Sequence, residues 1–115
     1  MNNMNNDFVY LLATVTEDCM VDRFTSRIEN CIFRHTRRNI FRTVLGSFVN
    51  VLQDAEYQNI YSLLVDTNFN EIDNVQVLNV HEMIRNLVLR SRVDQRIHQI
   101  LSLACEQCES IVPYP

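Results

Sequence analysis

The most closely spaced reactive side chains in the sequence are Cys105 and Cys108, in the stretch Cys-Glu-Gln-Cys. Such a pair does thiol redox chemistry when its first cysteine sits at a helix N-terminus, where the dipole favours thiolate. Here the pair falls near the end of a helix that Pro113 and Pro115 stop. The dipole there opposes thiolate, and Glu106 and Glu109 oppose it further. Zinc is the second chemistry open to these residues. Cys105 and Cys108 share a helix face, His98 lies seven residues earlier, and Cys19 or Cys31 could come from another helix. A structural zinc site wants four ligands, commonly as two tight pairs, and only one tight pair exists. The pattern favours reduced, apolar cysteines that fill helix faces, with no metal and no cofactor.

Nucleophilic catalysis needs a serine or cysteine held beside a base. His35, His81 and His98 are bases by type only. The chain has a single glycine, too few for a strained nucleophile turn, a phosphate-cradling loop or a dinucleotide fingerprint. The expectation is a protein that is not an enzyme.

Arginine is the more informative residue. All ten basic residues are arginine, and lysine is absent. Residues 23–42 hold six arginines and one acid, and residues 85–96 hold four and one. Residues 1–22 and 43–84 hold four and six acids with no base. Arg34, Arg38 and Arg42 follow i, i+4, i+8 with Arg37 beside them, and Arg85, Arg92 and Arg96 form a second candidate ridge. Guanidinium groups make forked contacts to phosphate or carboxylate and stack on bases. Two such ridges could hold a nucleic-acid backbone, duplex RNA or DNA. The net charge of −4 argues against that, since backbone binding normally wants a basic domain. The other reading pairs these arginines with the acids of residues 43–84, within the chain or across a dimer. A chain without lysine also offers ubiquitin only its N-terminal amine, a trait that would suit a viral or host-targeting protein.

The elements that position these residues read as helices. Phe8, Leu11, Leu12, Val15 and Cys19 recur at i, i+3, i+4, i+7 and i+11, although Phe8 to Val15 is also rich in strand formers. Thr16, followed by Glu17 and Asp18, resembles a fresh N-cap for a second helix to about Arg34. Thr36 is a candidate cap for a third, which carries Ile40, Phe41, Val44, Leu45, Phe48 and Leu52. The lone Gly46 inside it costs about 1 kcal/mol against alanine and implies close contact with a neighbouring helix. Asp54 caps a helix to about Val65, and Asp66 to Asn70 read as loop. Residues 72–78 are ambiguous. Asn79 with Glu82 resembles a capping box, and Ser91-Arg92-Val93-Asp94 a second cap, with Val93, Ile97, Ile100 and Leu101 continuing the apolar stripe.

The fold class expected is all-α: a compact single-domain bundle of five to six short helices over residues 7–112, with tails at 1–6 and 113–115. The chain is 47% apolar, too rich for disorder, and its longest apolar run is far short of the ~20 residues that cross a bilayer. The polar start lacks the basic region of a signal peptide, so a cytoplasmic or nuclear location away from membranes is expected. Phe33, Phe69, Tyr10, Tyr57 and Tyr61 fall off the apolar stripes or add amphipathic aromatic area. Aromatics and arginine are enriched at interfaces. The function expected is a non-catalytic protein–protein interaction module, self-associating through an apolar-aromatic patch rimmed by arginine. Nucleic-acid binding is the alternative.

Overall fold

The computed structural model describes the backbone of residues 3–66, 69 and 74–111, and side chains in those ranges from residue 17 onward. Five helices follow in order: α1 (Asn3–Ile32), α2 (His35–Gly46), α3 (Ala55–Val65), α4 (Asn74–Ser91) and α5 (Gln95–Glu109). No strand occurs among the described residues. The expected tail at 113–115 lies outside the described residues, as do residues 1 and 2.

α1 differs from the sequence reading. It is one helix of 30 residues, with no break at Thr16. No glycine or proline interrupts it, and a threonine inside a helix costs only a few tenths of a kcal/mol, roughly. A break does come at Phe33 and Arg34, but Thr36 does not cap the next helix. Arg34 is the N-cap of α2, and its side chain makes no cap hydrogen bond. The turn is secured from the other side: Arg38 Nη1 donates to the Ile32 carbonyl at 3.1 Å, at the end of α1. α2 then stops at Gly46, earlier than the apolar run implies, and a series of tight turns leads to the buried Leu52.

One cap is as the sequence implies, and the second falls at the last residue of the stretch Ser91–Asp94, since Ser91 itself ends α4. Asp54 Oδ1 accepts from the Glu56 and Tyr57 amides at 2.9 and 3.2 Å. Asp94 Oδ1 accepts from the Arg96 amide at 3.0 Å. Asn79 is not a cap, because α4 already begins at Asn74 and absorbs the ambiguous residues 74–78. Gly46 has the expected neighbour. A Cβ there would meet the Tyr61 hydroxyl at 3.1 Å and its Cε1 at 3.2 Å.

α5 is the pivot of the bundle. Ile97, Leu101, Ala104, Cys105 and Cys108 are fully buried. α1 packs along one flank of α5, and α2 forms the largest helix–helix contact along another. α1 and α4 run antiparallel, tied by Glu17 to Arg92, Asp22 to Arg85 and Glu29 to His81. α3 closes the far side, where the buried Tyr57 hydroxyl donates to the Leu45 carbonyl at 2.6 Å. Each described buried side-chain nitrogen or oxygen has a hydrogen-bond partner. That is the condition for a low cost of burying polar groups.

Candidate interaction groove

α2 carries apolar residues over a wider arc than one neighbour can cover. Phe41 and Leu45 point into the core and are fully buried. Ile40, Val44 and Phe48 fall on an adjacent face and are only partly buried. On α5 the same division holds: Leu101 and Ala104 face the core, while Leu103 is 40% exposed. Between these outer faces lies a hollow of about 510 Å³, lined by Ile40, Val44, Phe48, Leu103 and Gln107 among others. Through Phe48 it runs on into a second hollow of about 270 Å³ beside Val51, Ile100, Gln99 and Arg96. The two form one groove along the antiparallel α2–α5 pair. No acid lines it among the described residues.

One arginine, Arg96, lines the second hollow. Arg37 lines neither; its carbonyl accepts from the Cys108 thiol at 3.1 Å, and its charge adds to that of Arg27 in lowering Glu109. α5 turns its opposite flank to α1. There His98 meets the edge of Phe24 with ring centroids 5.4 Å apart, and Glu109 takes a forked pair of 2.7 Å bonds from Arg27. The forked bond from Arg27 holds the Glu109 carboxyl below the usual carboxylate range.

The arginines expected to act divide into three groups. Arg85, Arg92 and Arg96 are ion-paired, with Asp22, Glu17 and Asp94, and Arg90 with Asp54. Arg38 lies inside the fold, 7% exposed, its guanidinium 4.7 Å from the Phe69 ring centre and its Nη2 3.3 Å from His35 Nδ1. Burial, and then the charge of Arg42, lower its pKa from the usual arginine value. Arg34, Arg37 and Arg42 make no ion pair among the described residues. The i, i+4, i+8 ridge is therefore interrupted at its middle, and the second block is tied to acids.

The aromatic part of the expected patch belongs mostly to the core. Tyr57 is fully buried and Phe69 is 4% exposed, with Phe33 stacked on it at 5.8 Å between centroids. Phe69 lies against Phe33 and Arg38 at the α1–α2 turn, where its ring gains burial and the cation contact. Tyr61 is half-buried against Gly46, and the Tyr10 side chain lies outside the described residues. Sequence reasoning missed the groove because it counted Ile40, Val44 and Phe48 with the core. The signal was present in the width of the α2 arc, which also holds Phe41 and Leu45.

The cysteines fall into two kinds. Cys19 is exposed, and Cys31, Cys105 and Cys108 are buried. Hydrogen bonding with Cys105 first, and contact with Cys108, lowers the Cys31 pKa, while the same contacts and burial push those of Cys105 and Cys108 up. Three thiols in a closed core are shielded from external reagents, and the negative end of α5 disfavours charge on Cys105 and Cys108. Among the described residues no group of three or more histidines, cysteines or acids is arranged to hold a metal ion. His98, the fourth ligand considered, is engaged with Phe24. No described helix is long and apolar enough to cross a membrane.

No protein-family model matches the chain, and neither a curated protein nor a solved structure matches it.

Proposed function

We infer that the chain is a non-catalytic protein–protein interaction module that self-associates through the α2–α5 groove. The observation that carries this reading is the groove itself. Ile40, Val44, Phe48 and Leu103 leave apolar area open along the α2–α5 pair, where two hollows adjoin. Arg96 lines one end of the groove, and interfaces favour an apolar centre with a polar rim. The expected aromatic contribution narrows to Phe48.

Sedimentation velocity on the full chain tests the reading. A concentration-dependent dimer is expected, and Val44→Asp should shift it to monomer while leaving helix content unchanged. A strict monomer at concentrations of about 1 mM refutes self-association, since affinities weaker than that correspond to less than about 4 kcal/mol of binding.

A second reading rests on Arg34, Arg37 and Arg42, which carry positive charge on or beside α2 without ion-pair partners among the described residues. They could contact a phosphate backbone. The pairing of Arg85, Arg90, Arg92 and Arg96 with acids leaves that surface small. Fluorescence anisotropy with duplex RNA and DNA at about 50 mM salt is decisive, because phosphate contacts are strongest there. Absence of binding removes this reading.

A further inference from the structure

Three of the four cysteines meet in the seam between α1 and α5. Cys31, Cys105 and Cys108 are each fully buried. Cys31 makes side-chain contact with Cys105 first and with Cys108 second. The register of the two helices leads to the same place. α1 and α4 are antiparallel, and the short turn at Arg92 and Val93 reverses the chain again, so α5 runs parallel to α1. Phe24 on α1 meets His98 on α5. Cys31 and Cys105 each lie seven residues further on, two helical turns, which returns both to the same faces about 10 Å along. Cys108 follows one turn later, with its thiol donating to the Arg37 carbonyl at 3.1 Å.

The surroundings give the three sulfurs different roles. The negative end of α1 opposes charge on Cys31, whereas contact with two thiols and the charge of Arg37 favour its thiolate. Contact with Cys31, and then burial, hold Cys105 and Cys108 as thiols. Glu109 opposes charge on the sulfurs, and Arg27, bound to it by two 2.7 Å bonds across the same seam, offsets that. A nucleophilic sulfur on one helix thus touches a protonated one on another.

We propose that Cys31 and Cys105 form a disulfide site, oxidised by a small peroxide, that staples α1 to α5. The Cys31 thiolate attacks one oxygen of hydrogen peroxide. The O–O bond breaks, Cys31 becomes a sulfenic acid, and the departing hydroxide takes the proton that Cys31 gave up. The Cys105 sulfur then attacks the Cys31 sulfur, the S–O bond breaks, and hydroxide leaves with the Cys105 proton as water. The two sulfurs lose two electrons, which reduce the peroxide to two waters. Peroxide is uncharged and little larger than water, so brief openings of the seam admit it where a bulky thiol reagent is excluded. The two cysteines are 74 residues apart, and closing so long a loop restricts the unfolded chain strongly. The oxidised form is therefore the more stable one. The site is independent of the α2–α5 groove.

Hydrogen peroxide on the folded Cys19→Ser chain tests the site, since that variant lacks the exposed thiol. After alkylation in denaturant, trypsin cuts after Arg27, Arg34 and Arg96, which leaves Cys31 in residues 28–34 and Cys105 with Cys108 in residues 97–115. Mass spectrometry should find these two peptides joined, two hydrogens short, with Cys108 alkylated. The chains that yield them should run as monomers on a denaturing gel without reductant. The urea midpoint should rise by roughly 1–3 M and return on reduction. Cys31→Ala in the same background should lose both the joined peptide and the rise. Should that variant fail to fold, the peptide map of the Cys19→Ser chain decides alone. A bond between Cys105 and Cys108, a bond from Cys31 to Cys108, or three thiols still alkylated after hours of exposure overturns the proposal. A joined form whose midpoint does not rise overturns the staple as well.

Discussion

Asp54 does two jobs with its two oxygens, and they can be separated. Oδ1 accepts both amide bonds that cap α3, at 2.9 and 3.2 Å, while Oδ2 takes Arg90 Nε at 2.9 Å. Its side chain is 12% exposed, against 47% for Arg90. Loss of an N-cap costs about 1 kcal/mol, within a range of roughly 0.5–2. An ion pair with one partner half in solvent contributes about 0.2–1 kcal/mol. Asp54→Ala removes both and should cost about 1.5–2 kcal/mol. Asp54→Asn keeps an oxygen for the amides and loses the charge, so about 0.5 kcal/mol is expected. With a urea slope of about 1.5 kcal/mol per molar, the midpoints should fall by roughly 1 M and 0.3 M. The slope itself should not change. Arg90→Gln should cost about 0.5 kcal/mol in the wild type and almost nothing in the Asp54→Asn background, which isolates the pair. Urea denaturation followed by circular dichroism supplies all four numbers. If Asp54→Asn proves as damaging as Asp54→Ala, the ion pair dominates and the capping argument is refuted.

Three further outcomes rest on the same geometry. Arg38→Met should destabilise the fold by about 2–3 kcal/mol in urea titrations, because the Ile32 carbonyl loses its donor and Phe69 its cation. Arg38→Lys should restore only part of this, since an ammonium lacks the planar fork. In native protein a chromogenic thiol reagent should titrate Cys19 rapidly and reach Cys31, Cys105 and Cys108 only after denaturant is added. Immediate reaction at all four would contradict the closed core. Hydrogen bonds from the Arg96 side chain hold the Asp94 carboxyl at about 2, below its unfolded value near 3.9, and Glu109 is likewise lowered by Arg27. A carboxylate depressed in the folded state stabilises it above the unfolded pKa, and that contribution is lost as pH falls through the folded one. Thermal melts should therefore show stability falling between about pH 4 and pH 2, with a shallower fall in Asp94→Asn. A flat profile across that window would disprove the linkage.

What could be read from the sequence was local. Asp54 precedes its helix with a short side-chain acceptor and caps it, and within the stretch Ser91–Asp94 the residue that caps is Asp94. Gly46 signalled a close neighbour and has one in Tyr61. The breaks were harder. Thr16 with two following acids looks like a helix start, yet the apolar spacing continues across it and nothing forbids the helix from doing the same. The break that exists is fixed by Arg38 reaching back six residues to Ile32, a contact that spacing alone does not announce. The arginine blocks show the same limit on a larger scale. Apart from Arg96, which pairs with the nearby Asp94, their partners lie far along the chain, 82 residues for Arg27 and Glu109 and 63 for Arg85 and Asp22. Charge segregation implied that such pairs exist, and only the packing of α1 against α4 and α5 selects them. The groove went unread for a related reason: an apolar stripe does not state how many neighbours will cover it.

The alliance of the first helix with the last two has a consequence for how the protein is made. A ribosome delivers α1 first, and its described packing partners on α4 and α5 only after most of the remaining chain. At roughly 5–20 residues per second, α1 waits several seconds with its apolar residues uncovered. Cys31 meets Cys105 and Cys108 only when the final helix has emerged. Closure of this core thus waits for α5, and a nascent chain halted before α5 would expose the α1 and α2 surfaces that α5 covers.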